Sequence, residues 1–116
     1  METINRDELS ERLAGDMELL RDLGALFIED YPNLINKIDN AINSKDSLAL
    51  KKAAHTLKGS VANFSAQKAY EASYELEMNG KNEEIDKALE AFKIVKNEID
   101  NFVKELKDLM TQASIN

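Results

Sequence analysis

The sequence predicts an all-α protein, an up-down antiparallel four-helix bundle with a short additional N-terminal helix. Apolar residues recur every three or four positions along most of the 116 residues, which is the period of an amphipathic helix. The chain contains only 4 glycines, 1 proline and 6% aromatic residues, so it is short of the turn formers and aromatic residues of sheet-rich domains. Polar connections separate four longer periodic stretches and a shorter leading one, which is the pattern of a helical bundle.

The leading helix is predicted from local capping signals. Asn5 can cap the helix, Glu8 can close a capping box, and Ile4 can pack on Leu9 as a hydrophobic staple. Gly15 fits the left-handed position after the last turn, so we expect this helix to be short.

A second, long helix follows. Asp16 is a suitable cap for it. Its apolar positions are Leu20, Leu23, Phe27, Tyr31, Leu34, Ile35, Ile38 and Ile42. They span about seven turns of an amphipathic helix. Pro32 lies inside the pattern and removes one backbone hydrogen bond, which predicts a kink or a division there.

The third helix contains the only histidine of the chain. Asp46 is its expected cap, and the helix should end near Phe64. Its predicted core face consists of Leu50, Ala53, Ala54, Leu57, Val61 and Phe64. At 100° per residue, His55 falls roughly 140° from the centre of that face. The histidine is therefore predicted to point outward, away from the core.

Two further helices complete the predicted bundle. Ser65 can cap a fourth helix that Asn79-Gly80 would close. A fifth helix begins after Asn82 and an acidic first turn, and keeps its apolar period to Met110. Residues 111–116 are expected to be frayed. The sequence thus predicts a single domain over residues 1–116, with a core of about residues 5–110.

Composition excludes several classes of function. The chain has no cysteine, which excludes disulfides, thiolate metal sites and cysteine nucleophiles. Its net charge of −7 argues against nucleic-acid binding. No apolar run approaches the roughly 20 residues that cross a bilayer, and the polar start lacks the features of a secretory signal. We therefore expect a cytoplasmic protein with no direct membrane insertion, and a monomer, since each helix has one apolar face.

The residues around His55 form the candidate functional site. Gly59 lies one turn later, inside the helical pattern, where glycine costs about 1 kcal/mol relative to alanine. A missing side chain there could let another protein approach the imidazole, although a helix end or tight internal packing would also explain it. Lys58 neighbours His55 on the helix surface and can pair with a phosphoryl oxygen. Lys51 and Lys52 add positive charge to the same side, or simply form a solvated face.

The string from Ala54 to Ser60, AHTLKGS, resembles the signature of histidine-containing phosphotransfer (HPt) domains of multistep two-component phosphorelays. The resemblance implies that His55 accepts a phosphoryl group, that Lys58 stabilises it, and that Gly59 leaves room for a receiver domain. In this family a polar residue matching Glu77 often bonds the other imidazole nitrogen. The similarity extends to the leading Asp-Glu-Leu helix, the Phe27–Pro32 region, Ser60 and Ala62, Leu76-Glu77 and the final amphipathic helix.

The resemblance also implies partners and cofactors. The partners are receiver domains of response regulators and of hybrid sensor histidine kinases. The docking residues expected around His55 are Leu48, Lys51, Lys52, Gly59 and Ala62. The sequence has no Walker-type loop, no kinase signature and no carboxylate cluster that could hold a metal beside His55. We therefore expect a phosphocarrier without cofactors of its own rather than an enzyme, with magnesium bound by the receiver domain.

Two other interpretations are compatible with the sequence. One is a helical adaptor that binds a partner without phosphoryl chemistry. The other is the phosphoacceptor segment of a larger hybrid or chemotaxis-type sensor kinase. A di-iron bundle would need Glu-x-x-His pairs on inward faces, which one outward histidine cannot supply.

Overall fold

The structure is a computed structural model that describes residues 3–116, and these residues form five α-helices and no strand. The helices are α1 (Arg6–Arg12), α2 (Met17–Asn43), α3 (Ser47–Ala62), α4 (Gln67–Lys81) and α5 (Ile85–Met110). Among the described helices, none has a stretch apolar and long enough to cross a membrane.

The four long helices form a closed bundle. Both α2 and α4 pack against α3 and α5, which produces a ring of neighbouring helices. The connections at residues 44–46, 63–66 and 82–84 are only three or four residues long, so consecutive helices run antiparallel. The bundle measures 44 × 21 × 20 Å. The predicted all-α class, with a short helix preceding a four-helix bundle, is confirmed.

The core contains the residues that the helical period predicted. All six residues of the predicted core face of the third helix are buried, although Phe64 lies in the turn after α3 ends. Phe27 of α2 forms edge-on contacts with Phe64 and with Phe102 of α5, at ring-centroid distances of 5.8 and 5.1 Å. This aromatic cluster joins three elements at the centre of the bundle and fixes the face that α3 turns inward.

Three predicted helix caps are confirmed. The side chains of Asn5, Asp16 and Asp46 accept hydrogen bonds from the backbone N–H groups three residues later, at 3.0 to 3.1 Å. Gly15 has a φ of +70°, as the position after the first helix requires. These signals are local, since the capping side chain and the N–H group that donates to it belong to the same turn.

Two predicted capping roles are wrong. Glu8 does not close a capping box; its carboxylate accepts a hydrogen bond from the Ser65 hydroxyl at 2.8 Å and lies 3.4 Å from Arg12. Ser65 does not cap α4, because it has a φ of +55° and its hydroxyl is used by Glu8. The residue before α4 is instead Ala66, which has no side-chain cap. A tertiary contact between the chain's first helix and this turn replaces both local interactions.

Pro32 does not divide the second helix. A single α2 runs from Met17 to Asn43 with Pro32 inside it. Phe27 precedes the proline and Ile38 follows it, and both are buried in the same core. Burial of apolar side chains on both sides outweighs the roughly 3 kcal/mol that an interior proline costs.

The fourth helix does not end at Asn79-Gly80. It continues to Lys81, and both Asn79 and Gly80 are buried within it. A Cβ atom on Gly80 would lie 2.6 Å from the backbone nitrogen of Lys51 and 2.9 Å from the backbone oxygen of Ser47. This glycine therefore serves the close approach of α4 to α3 rather than a turn.

The last residues are packed rather than frayed. Ile115 is buried in the core. Arg21 donates hydrogen bonds of 2.9 Å to the carbonyls of Met110 and Gln112, and the Asn116 amide donates to Asp7 at 3.1 Å. The apolar contact of Ile115, together with these bonds to α1 and α2, holds the segment that follows α5.

Glu105 of α5 holds the segment that leads into α1. One carboxylate oxygen accepts from the backbone N–H groups of Thr3 and Ile4 and from the Thr3 hydroxyl, and the other accepts from Arg6 at 3.2 Å. Burial alone would raise the pKa of Glu105, but these hydrogen bonds outweigh it and lower the pKa below the ordinary value of 4.5.

We predict that Glu105→Gln destabilises the protein at pH 7 and that this difference shrinks in acid. Because the folded-state pKa is the lower one, the carboxylate's stabilisation is complete above the ordinary value of 4.5 and is lost as the pH falls through the folded-state value. Urea unfolding of both proteins at pH 7 and pH 3 measures this. Glu90→Gln, on the exposed surface of the same helix, is the control. An equal loss at both pH values would contradict the assignment.

Candidate functional site

His55 lies in the middle of α3 with its side chain in solvent. Its side chain is 66% exposed, whereas its neighbour Ala54 is fully buried. The predicted outward orientation is therefore confirmed. The helix presents the imidazole on the surface while the opposite side of the same turn anchors it to the core.

Gly59 lies one turn after His55, and nothing in the fold requires a glycine there. The helix does not end at this residue but continues to Ala62. Gly59 is exposed, and within residues 3–116 a Cβ atom built on it would meet no heavy atom within 4 Å beyond the adjoining backbone of its own helix. The two internal explanations for this glycine, a helix end and tight packing, are thus excluded. What remains is an open surface beside the imidazole.

Glu77 of α4 joins the two chemically active side chains of α3. Its Oε2 lies 2.9 Å from Nδ1 of His55, and its Oε1 lies 2.7 Å from Nζ of Lys58. The Glu77 side chain is only 12% exposed. The packing of α4 against α3 therefore brings together residues that are 22 positions apart in the sequence.

The charges of Glu77 and Lys58 stabilise each other. Burial would raise the pKa of Glu77, but the contacts from Lys58 and His55 outweigh it and lower the pKa below the ordinary value of 4.5. The contact with Glu77 also raises the pKa of Lys58 above 10.5, against the opposing effect of burial. At neutral pH the site therefore contains a carboxylate and an ammonium group.

The ionised state of Glu77 determines the tautomer of His55. A carboxylate can only accept hydrogen bonds, so a neutral imidazole must donate its proton from Nδ1 to Oε2. The lone pair then lies on Nε2, the nitrogen that Glu77 does not contact. This geometry supplies an exposed nucleophilic nitrogen without a separate general base.

Two tyrosines of α4, which the sequence analysis did not select, complete the surroundings of Lys58. The ammonium nitrogen lies 5.2 Å from the ring centroid of Tyr74 and 6.0 Å from that of Tyr70. Together with Glu77, these residues occupy positions i, i+4 and i+7, which is one face of a helix. That spacing is visible in the sequence, but it does not show which helix the face meets.

The predicted docking residues extend along the whole outer side of α3. Leu48, Lys51 and Lys52 are exposed in its first two turns. Ala62 is half-buried in the last turn, where its carbonyl accepts a hydrogen bond from Arg12. Leu48 and Ala62 are separated by about 20 Å along the helix, at 1.5 Å per residue. They mark the two ends of a long surface centred on His55, rather than a compact pocket.

Within residues 3–116, no three His, Asp or Glu side chains come together as a metal-binding group would require. The charged groups that precede and follow His55 on α3 are lysines, and the nearby carboxylate of Glu77 is already paired with Lys58. Ammonium groups repel cations and attract anionic groups. The electrostatics of the site therefore favour a phosphoryl group over a metal ion.

Comparison with known proteins agrees with this chemistry. A sequence model described as the Hpt domain matches residues 22–114, which is most of the chain. The chain belongs to the Hpt domain family. It is accordingly a histidine phosphocarrier of phosphorelays, a class that carries phosphoryl groups rather than acting as a kinase. None of the curated proteins searched matches the sequence.

A solved structure shows the same fold. The histidine-containing phosphotransfer protein B (HptB) from Pseudomonas aeruginosa PAO1 superposes with a TM-score of 0.82 at 20% sequence identity. The match covers 93% of this chain and 94% of that chain. The Hpt bundle is thus retained over nearly the full length of both chains, although four of five residues differ.

Proposed function

We propose that Nε2 of His55 is the phosphoacceptor of this Hpt domain. The observation that carries the proposal is the hydrogen bond of 2.9 Å between Nδ1 and Glu77 on an otherwise exposed imidazole. This bond holds the ring, fixes the proton on Nδ1 and leaves Nε2 free. His55 is the only histidine of the chain, so no other residue can carry the phosphohistidine of the family.

The transfer proceeds by in-line displacement between a receiver aspartate and His55. The Nε2 lone pair attacks the phosphorus of the aspartyl phosphate, the Nε2–P bond forms, the P–O bond breaks, and the aspartate leaves as a carboxylate. Nδ1 keeps its proton throughout, and the ring gains positive charge as the bond forms. Glu77, hydrogen-bonded to Nδ1, stabilises this charge. Reversal of the same step passes the phosphoryl group to another receiver.

Lys58 stabilises the charge on the transferring group. An ammonium group has three N–H donors, and the ion pair of 2.7 Å with Oε1 of Glu77 occupies at most one of them. The other donors remain for phosphoryl oxygens on the neighbouring residue of the same helix face. Lys58 can therefore serve the phosphoryl group while it remains anchored to Glu77.

We further propose that magnesium is contributed by the receiver domain and that this chain binds no cofactor of its own. Phosphoryl transfer needs a cation at the moving group, and the lysines and the paired carboxylate at His55 do not form a ligand set for one. The expected partners are receiver domains of response regulators and of hybrid sensor kinases. In this role the protein acts as a cytoplasmic monomer without an ATP-binding site.

Gly59 is proposed to leave space for the backbone of the receiver domain. We predict that the variants Gly59→Ala and Gly59→Gln are at least as stable as the wild type, because both residues favour a helix over glycine. Phosphoryl transfer should decrease with side-chain size and fall about tenfold for glutamine, equivalent to ~1.4 kcal/mol. Transfer rates from a phosphorylated receiver, with urea unfolding in parallel, measure both effects. Wild-type transfer by Gly59→Gln would contradict the docking role.

The experiment that tests the proposed function is transfer from phosphorylated receiver domains of the same genome to the purified chain. The proposal expects one acid-labile, base-stable phosphate per chain, as a phosphohistidine gives, and loss of the label on addition of a second, unphosphorylated receiver. A protein that binds receivers but takes no phosphate from any of them would be a helical adaptor, and the proposal would fail.

A further inference from the structure

We propose that Tyr74, with Tyr70 beside it, is a positioning residue for phosphoryl transfer that acts through Lys58. The proposal rests on the proposed function of His55 and adds residues of α4 to it. The two rings and the Glu77 carboxylate hold the ammonium group of Lys58 at the surface next to the phosphoacceptor.

The geometry places Lys58 against one face of α4. Its nitrogen lies 2.7 Å from Oε1 of Glu77, 5.2 Å from the Tyr74 centroid and 6.0 Å from the Tyr70 centroid. Both rings are within the distance at which an ammonium group is attracted to an aromatic face. Three residues from successive turns of one face of α4 thus converge on one side chain of α3.

Lys58 and Tyr74 differ in exposure although they lie in contact. Lys58 is only 16% exposed, although it lies three residues from a histidine that is largely in solvent. Tyr74 is 46% exposed and does not belong to the core. The Tyr74 ring therefore contributes little to the core, and its face lies against the ammonium group of Lys58.

Aromatic contacts can position the ammonium group of Lys58, which must interact with the phosphoryl group only during transfer. A lysine side chain that is free in solvent loses rotamer entropy each time it is ordered at a phosphoryl group. The rings restrict Lys58 in advance, and their attraction has little directionality, so they leave the remaining N–H donors free for phosphoryl oxygens. Glu77 could also order the ammonium group, but each N–H group that donates to Glu77 is no longer available to a phosphoryl oxygen.

The test compares two variants. Tyr74→Phe keeps the aromatic ring and removes only the hydroxyl, whereas Tyr74→Leu keeps an apolar side chain but removes the aromatic ring. The rates of phosphoryl uptake from a receiver and of return to a receiver are measured for each protein, with circular dichroism as the check on folding. We expect Tyr74→Phe to stay within twofold of the wild type and Tyr74→Leu to be about two- to fivefold slower in both directions. Slowing by Tyr74→Phe equal to that of Tyr74→Leu would overturn the proposal, because the hydroxyl would then be the active group.

A second comparison separates positioning from docking. Lys58→Met is expected to slow transfer, and adding Tyr74→Leu to Lys58→Met should slow it no further, because the ring acts only through the ammonium group. If Tyr74→Leu slowed transfer equally in the wild type and in Lys58→Met, the ring would act by direct contact with the receiver. That result would overturn the positioning role. If the wild type itself takes no phosphate, the proposed function fails, which is a different result from any of these.

Discussion

Replacement of His55 by glutamine is expected to abolish phosphoryl uptake and leave the bundle folded. No other histidine can replace His55, so uptake should fall to the background of the assay. The imidazole is largely in solvent and contributes little buried surface, so the free energy of unfolding should change by less than about 1 kcal/mol. Glutamine can still donate a hydrogen bond to Glu77, which keeps that carboxylate paired. Intact-protein mass spectrometry after incubation with a phosphorylated receiver measures the uptake, and urea unfolding measures the stability.

Lys51→Gln is the matched control for this variant. Lys51 lies one turn before His55 on the exposed side of α3, so its replacement removes a charge from the same surface without touching the imidazole. This control should still take up one phosphate per chain, at a rate lowered only by weaker attraction to an acidic partner. Stoichiometric labelling of His55→Gln, or its failure to fold, would return the histidine to a structural role.

The variant with the largest expected effect on stability is Gly80→Ala. The new Cβ atom would lie 2.6 Å and 2.9 Å from the backbone nitrogen and Cα of Lys51. Backbone atoms of a packed helix cannot rotate away, so α4 must move from α3 and loosen the contacts along it. Overpacking of this kind costs 1–3 kcal/mol or more, against a gain of about 1 kcal/mol from the higher helix propensity of alanine. Because the clash is with backbone atoms, we expect the upper end of this cost, about 3 kcal/mol, and so a net loss of about 2 kcal/mol in the urea unfolding free energy.

Gly59→Ala provides the control because it makes the same chemical change in the adjacent helix. Among the described residues, no atom outside the adjoining backbone of α3 lies within 4 Å of its new Cβ, so only the propensity gain applies and the protein should become about 1 kcal/mol more stable. The two alanine variants should therefore shift stability in opposite directions. A Gly80→Ala protein as stable as the wild type would show that the helices are not in close contact there.

Features of the fold could be predicted where the interacting residues are close in the sequence, and not where they are far apart in it. The caps of α1, α2 and α3 were predictable because Asn5, Asp16 and Asp46 each bond within their own turn. Serine is a common helix cap, but the hydroxyl of Ser65 donates a hydrogen bond to Glu8, which is 57 residues away in the sequence. Asn79-Gly80 has the sequence of a helix end, but Gly80 is needed for the close contact of α4 with α3. The local sequence does not show that contact.

The site was predictable on α3 and not on α4. The helical period alone placed His55 on the surface, because the core residues around it fix the orientation of the helix. The contact with Glu77 depends on the register between two helices, and only the resemblance to a known family suggested it. Tyr70 and Tyr74 were missed because a tyrosine on an amphipathic helix has many roles, and its contact with Lys58 exists only after packing.

The charge distribution supports the proposed docking of a receiver domain on α3. The chain carries a net charge of −7, yet Lys51, Lys52 and Lys58 lie within four residues of His55 on one helix. In the proposed role, this local positive charge would attract the phosphorylated group of a receiver to the face that carries the imidazole.

NMR of the chain labelled with ¹⁵N on the His55 imidazole, recorded before and after phosphorylation by a receiver, distinguishes the two ring nitrogens. Before transfer, we expect a ring protonated at Nδ1, with that signal shifted by Glu77→Gln. After transfer, we expect a nitrogen–phosphorus coupling at Nε2 and a proton retained on Nδ1. Phosphate on Nδ1, or a covalent phosphate with no change in the imidazole signals, would contradict the role of Nε2 as the phosphoacceptor.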